Sequence, residues 1–587
     1  MDTLIVTLNS KYIHSNLAIR YLKRFVEDIE DVGILEFTIN QNIDFIASEI
    51  YKQEKELVVF SVYIWNIKET LKICKILKTV KPELKIALGG PEVSYDIKQH
   101  MESYEYIDFI MFGEGEETFR EFILENQKTE KDYKGIDGLA FRNEGEAVVN
   151  SPRKLMEDLN IIPSPYEEKT DEFKNKIVYY ESSRGCPFGC KFCLSSTIRG
   201  VRYFDIDRVK RDLKNLIDMG VRQVKFVDRT FNANKKYSRE IMEFLIKEDP
   251  EGINFHFEVT AHLIDKETLN FLETVKEGLF QFEIGVQSTN PKTIEAVGRT
   301  TDFERLSRVV RRIKSFKNIH QHLDLIAGLP YEGIESFKKS FDDVYNLEPE
   351  KLQLGFLKLL KGSELRLLQE NYGYKYIDEP PYEVLESNYI DYGGILKLKD
   401  IEEMVDRYYN DGNFKNTIKF LVKNHYGSPY NFYDDFSKFW NENGYHKVSH
   451  SKRTLYKILY NFIKRRSFEY IELIYDLLKY DYIYNNKNRN LPFKIEGQTE
   501  ERFNIHDVLK DNRILDNYLE RYKDTPTKRV INKVNVVGFS FNVLEVIREG
   551  FNPMEKEDTY VLFDYKDGSI IKCETNNITS IVGSVSN

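Results

Sequence analysis

The stretch 181–196 reads ESSRGCPFGCKFCLSS and sets Cys186, Cys190 and Cys193 in a C-x3-C-x2-C arrangement. Three thiolates at this spacing can hold three corners of a cubic [4Fe–4S] cluster, whereas clusters that only carry electrons usually have four cysteine ligands. The chain has five cysteines, and the other two, Cys74 and Cys573, are far from this run, as are the nearest histidines. One iron of such a cluster is therefore open to a substrate or cofactor, which indicates a chemical site rather than a structural one.

A structural zinc site is the alternative interpretation of these cysteines. Zinc in structural sites takes four tetrahedral ligands. The local sequence offers three thiols and no nearby histidine. The motif therefore favours iron–sulfur over zinc.

The cysteine run, with the aromatic Phe192 before its third cysteine, resembles the radical S-adenosylmethionine (SAM) superfamily. The resemblance implies that the open iron binds the amino and carboxylate groups of SAM. It also implies that the reduced cluster cleaves SAM to a 5′-deoxyadenosyl radical, under anaerobic conditions and with a reductant such as flavodoxin or ferredoxin.

Length and composition bound the class of protein. At about 150 residues per domain, 587 residues predict three or four domains. The 41% hydrophobic and 31% charged residues are typical of soluble globular proteins, and a net charge of −10 does not indicate a nucleic-acid partner. We find no signal peptide, no apolar run long enough to span a membrane, and no disulfide framework. A cytoplasmic protein without a membrane span is expected.

Residues 1–150 alternate near-continuous apolar runs with amphipathic stretches, which predicts a parallel sheet with helices on both faces. Strands are predicted at 3–8, 57–63, 84–88 and 109–112, the last two ending in GGPE (89–92) and GEGE (113–116). Ligands of such sheets bind at the carboxyl ends of the strands, where glycines let the backbone approach a flat ligand.

The pairing of LGGPE with FGEGEETF, upstream of the cysteine run, resembles the cobalamin-binding domain that precedes many radical SAM barrels. The resemblance implies a Rossmann-like (flavodoxin-like) domain. No D-x-H-x-x-G run occurs, so no histidine is expected as lower axial ligand, and Tyr63 and Trp65 are candidates for that face, with packing at a strand end as the alternative. The implied cobalamin contacts are Asn9, Ser61, Tyr63, Trp65, Gly89, Gly90, Pro91, Glu92, Gly113, Gly115 and Glu116.

Residues 151–176, punctuated by three prolines, are predicted to be a linker. Residues 177–365 show a second series of strands alternating with helices, with strands predicted at 177–183, 223–228, 254–260, 279–287, 322–327 and 351–357. By resemblance they form the partial (β/α)6 barrel of the radical SAM superfamily. Residues at the carboxyl ends of barrel strands carry the chemistry in such folds.

Polar residues at these predicted strand ends resemble the segments that cradle SAM. A carboxylate such as Glu258 can accept the SAM ammonium group, and Arg299 can bind its carboxylate. Gln287 and Asp324 match positions near the ribose hydroxyls. For each residue alone, a strand-end hydrogen-bonding role is the alternative. The implied SAM contacts are Phe192, Asp228, Glu258, Glu283, Gln287, Ser288, Arg299 and Asp324, beside the cluster ligands Cys186, Cys190 and Cys193.

The remaining residues carry weaker indications. A structural role is expected for His256, His262, His320 and His322, with substrate binding or proton transfer as the alternative. Cys74 is expected in the core. Residues 366–587 predict a mainly helical α+β domain ending in strands, which resembles a C-terminal region of unknown role in cobalamin-type radical SAM proteins.

The resemblance as a whole implies a cobalamin-dependent radical SAM enzyme that transfers methyl groups to unactivated centres. One alternative is a cobalamin-containing enzyme that performs cyclisation, ring contraction or oxidation, and another is a radical SAM enzyme with a vestigial N-terminal domain. The methylthiotransferases of this superfamily carry three additional cysteines in their N-terminal domains, whereas residues 1–176 contain only Cys74. A non-enzymatic oxygen sensor is the last alternative. The sequence does not indicate the substrate.

Overall fold

A computed structural model describes residues 2–198, 200–487, 490–494, 509, 512–566 and 568–573. The chain divides into two compact units, Met1–Ile395 and Leu396–Asn587. The first unit contains every residue predicted to bind a cofactor. The finer domain boundaries predicted at residues 150, 176 and 365 stay predictions.

The first sheet confirms the predicted flavodoxin-like domain. Its seven strands lie in the order β2-β1-β3-β4-β5-β6-β7, with the first five parallel and the last two antiparallel. The strand order reverses between β1 and β3, which is where such sheets open a crevice at their carboxyl edge. The strands are β1 (Thr3–Asn9), β2 (Gly33–Thr38), β3 (Leu57–Ser61), β4 (Lys85–Gly89), β5 (Phe109–Met111), β6 (Leu139–Asn143) and β7 (Glu146–Val149).

Helices cover both faces of this sheet, which explains why β1 and β3 are buried along their whole length. Ile19 of α1 and Phe122 of α5 pack on one face, and Ile46 of α2, Ile73 of α3 and Met101 of α4 on the other. The helices are α1 (Leu17–Val26), α2 (Ile43–Tyr51), α3 (Ile67–Val80), α4 (Ile97–Ser103) and α5 (Gly115–Asn126).

The second sheet confirms the predicted partial barrel of six parallel strands, in the order β15-β14-β13-β12-β11-β8. The predicted strand 177–183 is shorter than expected, because the chain turns into a separate hairpin whose first strand ends at Cys186. The strands are β8 (Ile177–Tyr180), the hairpin pair β9 (Ser183–Cys186) and β10 (Gly200–Tyr203), β11 (Gln223–Phe226), β12 (Asn254–Glu258), β13 (Phe280–Gln287), β14 (His320–Ala327) and β15 (Lys351–Phe356).

Helices cover the outer face of the barrel because its strands alternate in character. In β13, Phe280, Phe282 and Ile284 are buried, while Gln281 and Glu283 on the other face are half-buried. The helices are α6 (Ile206–Asp218), α7 (Lys235–Glu248), α8 (Lys266–Leu272), α9 (Pro291–Ala296), α10 (Phe303–Phe316), α11 (Ile334–Tyr345) and α12 (Glu364–Leu367), followed by a small antiparallel pair, β16 (Lys375–Tyr376) and β17 (Val384–Glu386).

The segment 13–15, from the β1–α1 loop, covers the edge of the barrel at β8. The Ile177 amide donates to the Ile13 carbonyl at 3.0 Å, and His14 forms a parallel bridge with Ile177. The Tyr179 hydroxyl lies 3.0 Å from Nδ1 of His14. The N-terminal domain thus supplies part of the barrel wall.

The second unit is mainly helical and ends in strands, as predicted. Two of its helices, α13 and α14, continue into π-helical turns at Asp406–Asn410 and Val422–Tyr426. Its elements are α13 (Tyr392–Val405, which begins in the first unit), α14 (Lys415–Leu421), α15 (Pro429–Glu442), α16 (Lys452–Arg466), α17 (Ile471–Asn486), short helices at Asn512–Tyr518, Thr527–Val530 and Val543–Arg548, and the antiparallel strands β18 (Val534–Phe539), β19 (Thr559–Asp564) and β20 (Ser569–Cys573). In the described parts of the chain, every helix is too short or too polar to cross a lipid bilayer.

Candidate active site

The three motif cysteines lie in the loop that follows β8, at the carboxyl edge of the barrel. Cys186 ends β9, and the amide of Cys193 donates to the Cys190 carbonyl at 3.0 Å. Cys190 is buried and the other two are half-buried. Sγ of Cys186 lies 3.5 Å from Oγ1 of Thr230, and Sγ of Cys193 accepts from the Ser195 amide at 3.4 Å. Cys190 is therefore enclosed, while Cys186 and Cys193 are partly accessible.

The spacing of these thiols argues against a single zinc ion. Around tetrahedral zinc, with bonds of about 2.3 Å, sulfur ligands lie roughly 3.8 Å apart. Among the described residues, the one group whose potential ligand atoms all lie within 4.8 Å of one another is Glu283, His322 and Asp324. The three cysteine sulfurs do not form a group of that size, so they are not drawn together as the ligands of one zinc ion would be.

Arg299 brings a positive charge to the buried thiol. Its Nη1 lies 3.7 Å from Sγ of Cys190, and its Nη2 donates to the Gly285 carbonyl at 2.9 Å. Burial raises the pKa of the Cys190 thiol, and the charge of Arg299 opposes that rise. The arginine is thus held between the cysteine loop and the end of β13, where it can meet an anionic group bound beside the cluster.

Glu258 ends β12 next to Glu283 of β13, since the two are register partners. Burial raises the pKa of Glu258 to about 7, against the opposing charge of Arg229. A buried carboxyl group with a raised pKa is readily protonated near neutral pH. A nearby cation stabilises its ionised form more strongly than it would stabilise an exposed carboxylate. Its position therefore suits an ammonium ligand.

A belt of ionisable side chains crosses the barrel interior on β11 to β14. Oε2 of Glu283 lies 2.9 Å from Nε2 of His256 and 3.2 Å from Nζ of Lys225, while Nε2 of His322 lies 2.9 Å from Oδ1 of Asp324. Burial alone would raise the pKa of Glu283, but the nearby His256 imidazole and the charge of Lys225 lower it to about 2. Glu283 is therefore ionised and held in place.

Gln287 shows the signs of a strained binding residue. It ends β13 with φ of +70°, in the left-handed region, at a break in the strand register. Its Oε1 is buried without a hydrogen-bond partner in the described structure. A Cβ added to Gly285 would lie 2.2 Å from Nε2 of Gln287 and 3.9 Å from Nη2 of Arg299, so the amide folds over Gly285 beside Arg299. Strain and an unpaired buried acceptor together are typical of ligand sites.

Three of the predicted SAM contacts are committed to protein partners. The Asp228 carboxylate accepts from the Ser182 amide at 3.0 Å and from the hydroxyls of Ser182 and Ser183. The Ser288 hydroxyl is buried and donates to Glu332 at 2.6 Å. Phe192 packs against an apolar cluster beneath the loop. The structure places Glu258, Glu283 and Asp324 close together on β12 to β14, and Gln287 beside Arg299 at Gly285 of β13. Asp228, Ser288 and Phe192 are instead held by protein partners.

The predicted cobalamin residues lie along the carboxyl edge of the first sheet, at the ends of β1, β3, β4 and β5 and just beyond them. Gly90 has φ of +119°, and an added Cβ would come 2.4 Å from the Val62 carbonyl oxygen. The rings of Tyr63 and Trp65 stack at 4.4 Å with 7° between their planes, and Trp65 is 46% exposed. A flat apolar ring pair beside a closely approaching backbone fits a planar macrocycle.

Not every predicted cobalamin side chain is free to contact a ligand. Asn9 donates to Oε2 of Glu36 at 2.6 Å, Glu92 accepts from the Tyr382 hydroxyl, and Glu116 accepts from Arg184 at 2.5 Å. Ser61 is buried at the end of β3. The backbone of Gly89, Pro91, Gly113 and Gly115 lies at the same edge as these side chains.

Residues that we did not predict complete this arrangement. Lys225 and Arg229 face the carboxylates of the barrel, and Arg184 with Glu114 joins the cysteine hairpin to the first sheet. Lys225 lies between two apolar residues of a strand, and a charged residue in that position could have been recognised from the sequence as a candidate site residue. The pairing of Arg184 could not be read from the sequence, because its partners lie some 70 positions upstream.

Three family models match the chain in series. Residues 3–123 match the B12 binding domain, residues 180–344 the Radical SAM superfamily, and residues 370–563 a protein of unknown function, DUF4080. These three matches, in this order, are those of a radical SAM protein with an N-terminal cobalamin-binding domain. More particularly, they match a radical SAM protein that carries the DUF4080 domain after the barrel. The Radical SAM and B12 binding matches confirm the predicted cofactors, which are a [4Fe–4S] cluster, SAM and cobalamin.

Three curated relatives each match more than half of the chain. The chain is 27% identical to an uncharacterized methyltransferase of Pyrococcus horikoshii over 362 residues, which are 60% of this chain and 77% of that protein. It is 26% identical to the cobalamin-dependent radical SAM methyltransferase TokK of Streptomyces tokunonensis over 56% of this chain and 51% of TokK. It is 24% identical to the anaerobic magnesium-protoporphyrin IX monomethyl ester cyclase of Cereibacter sphaeroides over 52% of each chain. The matches to TokK and the cyclase thus span about half of those relatives.

Solved structures support the same fold. The cobalamin-dependent SAM radical enzyme OxsB, with aqua-cobalamin and SAM bound, superposes with a TM-score of 0.58 at 18% identity, over 81% of this chain and 78% of OxsB. The radical SAM methyltransferase TsrM from Kitasatospora setae, with cobalamin and a [4Fe–4S] cluster bound, gives 0.55 at 16% identity, over 65% of this chain and 79% of TsrM.

Proposed function

We propose that this chain is a cobalamin-dependent radical SAM methyltransferase that acts on an unactivated centre of its substrate. The observation that carries the proposal is the site of Cys190, whose thiol lies beside the Arg299 guanidinium at the open end of the barrel. The corrin-binding domain belongs to the same compact unit. Two of the relatives above are methyltransferases by name.

When bound, the cluster and SAM supply a hydrogen-abstracting radical and cobalamin supplies the methyl group. Cys186, Cys190 and Cys193 would hold the cluster. Arg299 would bind the SAM carboxylate, and ionised Glu258 would accept its ammonium group. These two contacts would orient SAM toward the open end of the barrel, because a charge-assisted pair at each end of a ligand fixes its direction.

Other side chains would define the cavity. The belt of Lys225, His256 and Glu283 would keep the barrel floor charged and rigid, while segment 13–15 closes its edge at β8. The stacked Tyr63 and Trp65 would lie against one face of the corrin. Exclusion of water and oxygen follows from such packing around the reactive atoms.

Two features of the cellular setting belong to the proposal. The reaction needs an electron donor, which we propose to be a flavodoxin or ferredoxin. We propose that the protein acts in the anaerobic cytoplasm, where thiols stay reduced.

A reaction without methyl transfer is the second candidate, because the relatives include the anaerobic cyclase named above. Cyclisation, ring contraction and oxidation would use the same two cofactor sites. The mass of the product separates the candidates, since methyl transfer adds one methylene unit to the substrate.

The test is anaerobic reconstitution with iron, sulfide and hydroxocobalamin, followed by measurement of bound iron, corrin absorbance and 5′-deoxyadenosine formed under dithionite. We expect replacement of all three cysteines by alanine to abolish SAM cleavage while corrin absorbance stays. Cys74→Ala, which leaves the motif intact in the sequence, is the control and should keep both. Tetrahedral zinc at the cysteines, or iron without SAM cleavage, would overturn the proposal.

A further inference from the structure

The hairpin that carries Cys186 also carries two arginines side by side. Arg184 lies on β9, two residues before the cysteine, and its register partner across the hairpin is Arg202 of β10. Gly200 is the register partner of Cys186 itself. Any group that fixes the two arginines therefore fixes the backbone that presents the first cluster ligand.

The acidic partners come from the glycine-rich loop after β5. Nη2 of Arg184 lies 2.5 Å from Oε1 of Glu116, and its Nη1 lies 3.7 Å from Oε1 of Glu114. Arg202 binds Glu114 with both nitrogens, at 2.5 Å and 3.0 Å. Glu181, which precedes the hairpin, accepts from Nε of Arg184 at 3.0 Å. Arg184 and Arg202 thus join the hairpin to Glu114 and Glu116, and Glu181 holds Arg184 from the hairpin side.

These ion pairs are enclosed. The side chains of Arg184, Glu114 and Glu116 are 13%, 12% and 7% exposed. Removing one partner of a buried ion pair strongly destabilises the folded protein, whereas an exposed ion pair contributes little to its stability. The network therefore couples the position of the loop after β5 to that of the β9–β10 hairpin more strongly than a surface salt bridge would.

The same loop is predicted to face the corrin through its backbone. Gly113 is exposed with φ of +80° and has no atom near the place of a Cβ, while Glu116 stands in the first turn of α5. The loop therefore presents an exposed backbone at Gly113 and carboxylates toward the hairpin. A ligand that orders its backbone also orders Glu114 and Glu116.

We propose that Arg184 is a positioning residue that couples cobalamin binding to the cluster loop through Glu114 and Glu116. This inference rests on the proposed function, since it requires both cofactors. Coupling between two sites is reciprocal: if cobalamin orders the hairpin, a loaded cluster must tighten cobalamin binding by the same factor.

The experiment measures hydroxocobalamin dissociation constants by anaerobic absorbance titration. Cluster-loaded protein is compared with the form in which Cys186, Cys190 and Cys193 are alanine, in three backgrounds: unaltered, Arg184→Met and Arg153→Met. Arg153 is the matched control, because its side chain is 12% exposed and pairs with Glu117 and Glu121 of α5, not with the hairpin.

We expect cluster loading to tighten cobalamin binding on the order of 10-fold in the unaltered and Arg153→Met backgrounds. In the Arg184→Met background, the cobalamin dissociation constants of the cluster-loaded and cluster-free forms should differ by less than about twofold. Electron paramagnetic resonance gives a second readout: cobalamin should shift the signal of the reduced cluster in the first two backgrounds and leave it unchanged in the third. Glu116→Gln, which keeps the shape of the side chain, serves if Arg184→Met does not fold.

The outcomes separate the two proposals. Equal cobalamin affinity with and without the cluster in the unaltered protein would overturn the coupling alone. A cluster effect that survives both Arg184→Met and Glu116→Gln would overturn the role of Arg184. A protein that binds no corrin in any form would overturn the proposed cofactor use, and the coupling with it.

Discussion

Nη1 of Arg299 lies 3.7 Å from Sγ of Cys190, while Nη2 of the same guanidinium donates to the Gly285 carbonyl. The contact joins the cluster loop to the end of β13 by one cation. The guanidinium places a positive charge beside Cys190 and Gln287, among the predicted cluster and SAM contacts.

Arg299→Met should weaken SAM binding by about 10- to 100-fold, because a hydrogen bond to a charged partner contributes roughly 1.5–3 kcal/mol. The cluster itself should still form, since the three thiols remain. Equilibrium dialysis with labelled SAM, alongside iron analysis, measures both. Arg305→Met is the control, because Arg305 is exposed on the neighbouring helix α10. Equal SAM affinity in the two variants would contradict the assignment.

SAM affinity should rise with pH between 6 and 8. Burial raises the pKa of Glu258 to about 7. Below that value the carboxyl is protonated and cannot pair with the SAM ammonium, whereas above it the carboxylate is available. The expected change in dissociation constant is up to about 10-fold across one unit on either side of the pKa.

Glu258→Gln provides the reference for that titration, because SAM has titrating groups of its own. The glutamine variant should bind weakly at pH 8 and lose the extra pH dependence of the unaltered protein. Identical pH profiles for the two proteins would show that Glu258 does not meet the ammonium group.

Trp65→Ala should lower cobalamin affinity at least several-fold. The exposed ring stacks on Tyr63 at the crevice, and aromatic pairs contribute about 0.5–1.5 kcal/mol beyond the area they bury. Absorbance titration with hydroxocobalamin measures the effect. Tyr51→Ala is the matched control, since Tyr51 is 53% exposed at the end of α2, away from the carboxyl edge of the sheet. Equal losses in both variants would argue against a corrin at this edge.

Gly90→Ala should destabilise the N-terminal domain by roughly 1–3 kcal/mol, because the residue has a positive φ and a Cβ would strike the Val62 backbone. Denaturant unfolding measures the loss. Gly135→Ala is the control, since a Cβ there meets no atom within 4 Å. A Gly90 variant as stable as the Gly135 variant would contradict the close approach.

The barrel strands were predictable because each is a short, largely apolar run bounded by polar turns. Strand β2 was missed, since it is only half-buried and Glu36 interrupts its apolar pattern. Strands β6 and β7 were missed as well, because antiparallel strands at a sheet edge lack the continuous apolar run of buried parallel ones.

The candidate site was predictable in its positions more than in its contacts. Strand ends can be located from the pattern, so Glu258 and Gln287 could be placed there, whereas Arg299 follows helix α9 and was proposed by resemblance. The sequence does not contain side-chain directions, so it could not show that Ser288 turns to Glu332. Contacts such as that of Arg184 with Glu116 depend on how two domains pack, and no local pattern specifies them.

Segment 13–15 covers the edge of β8, and this contact limits how the chain can be cut into separate domain fragments. A barrel excised without its first 150 residues would present β8 as a bare edge strand, which invites pairing with other chains. Such a fragment should self-associate even with all three cysteines in place. The corrin-binding and radical-forming regions therefore differ in chemistry, but they cannot be cut apart without exposing the edge of β8.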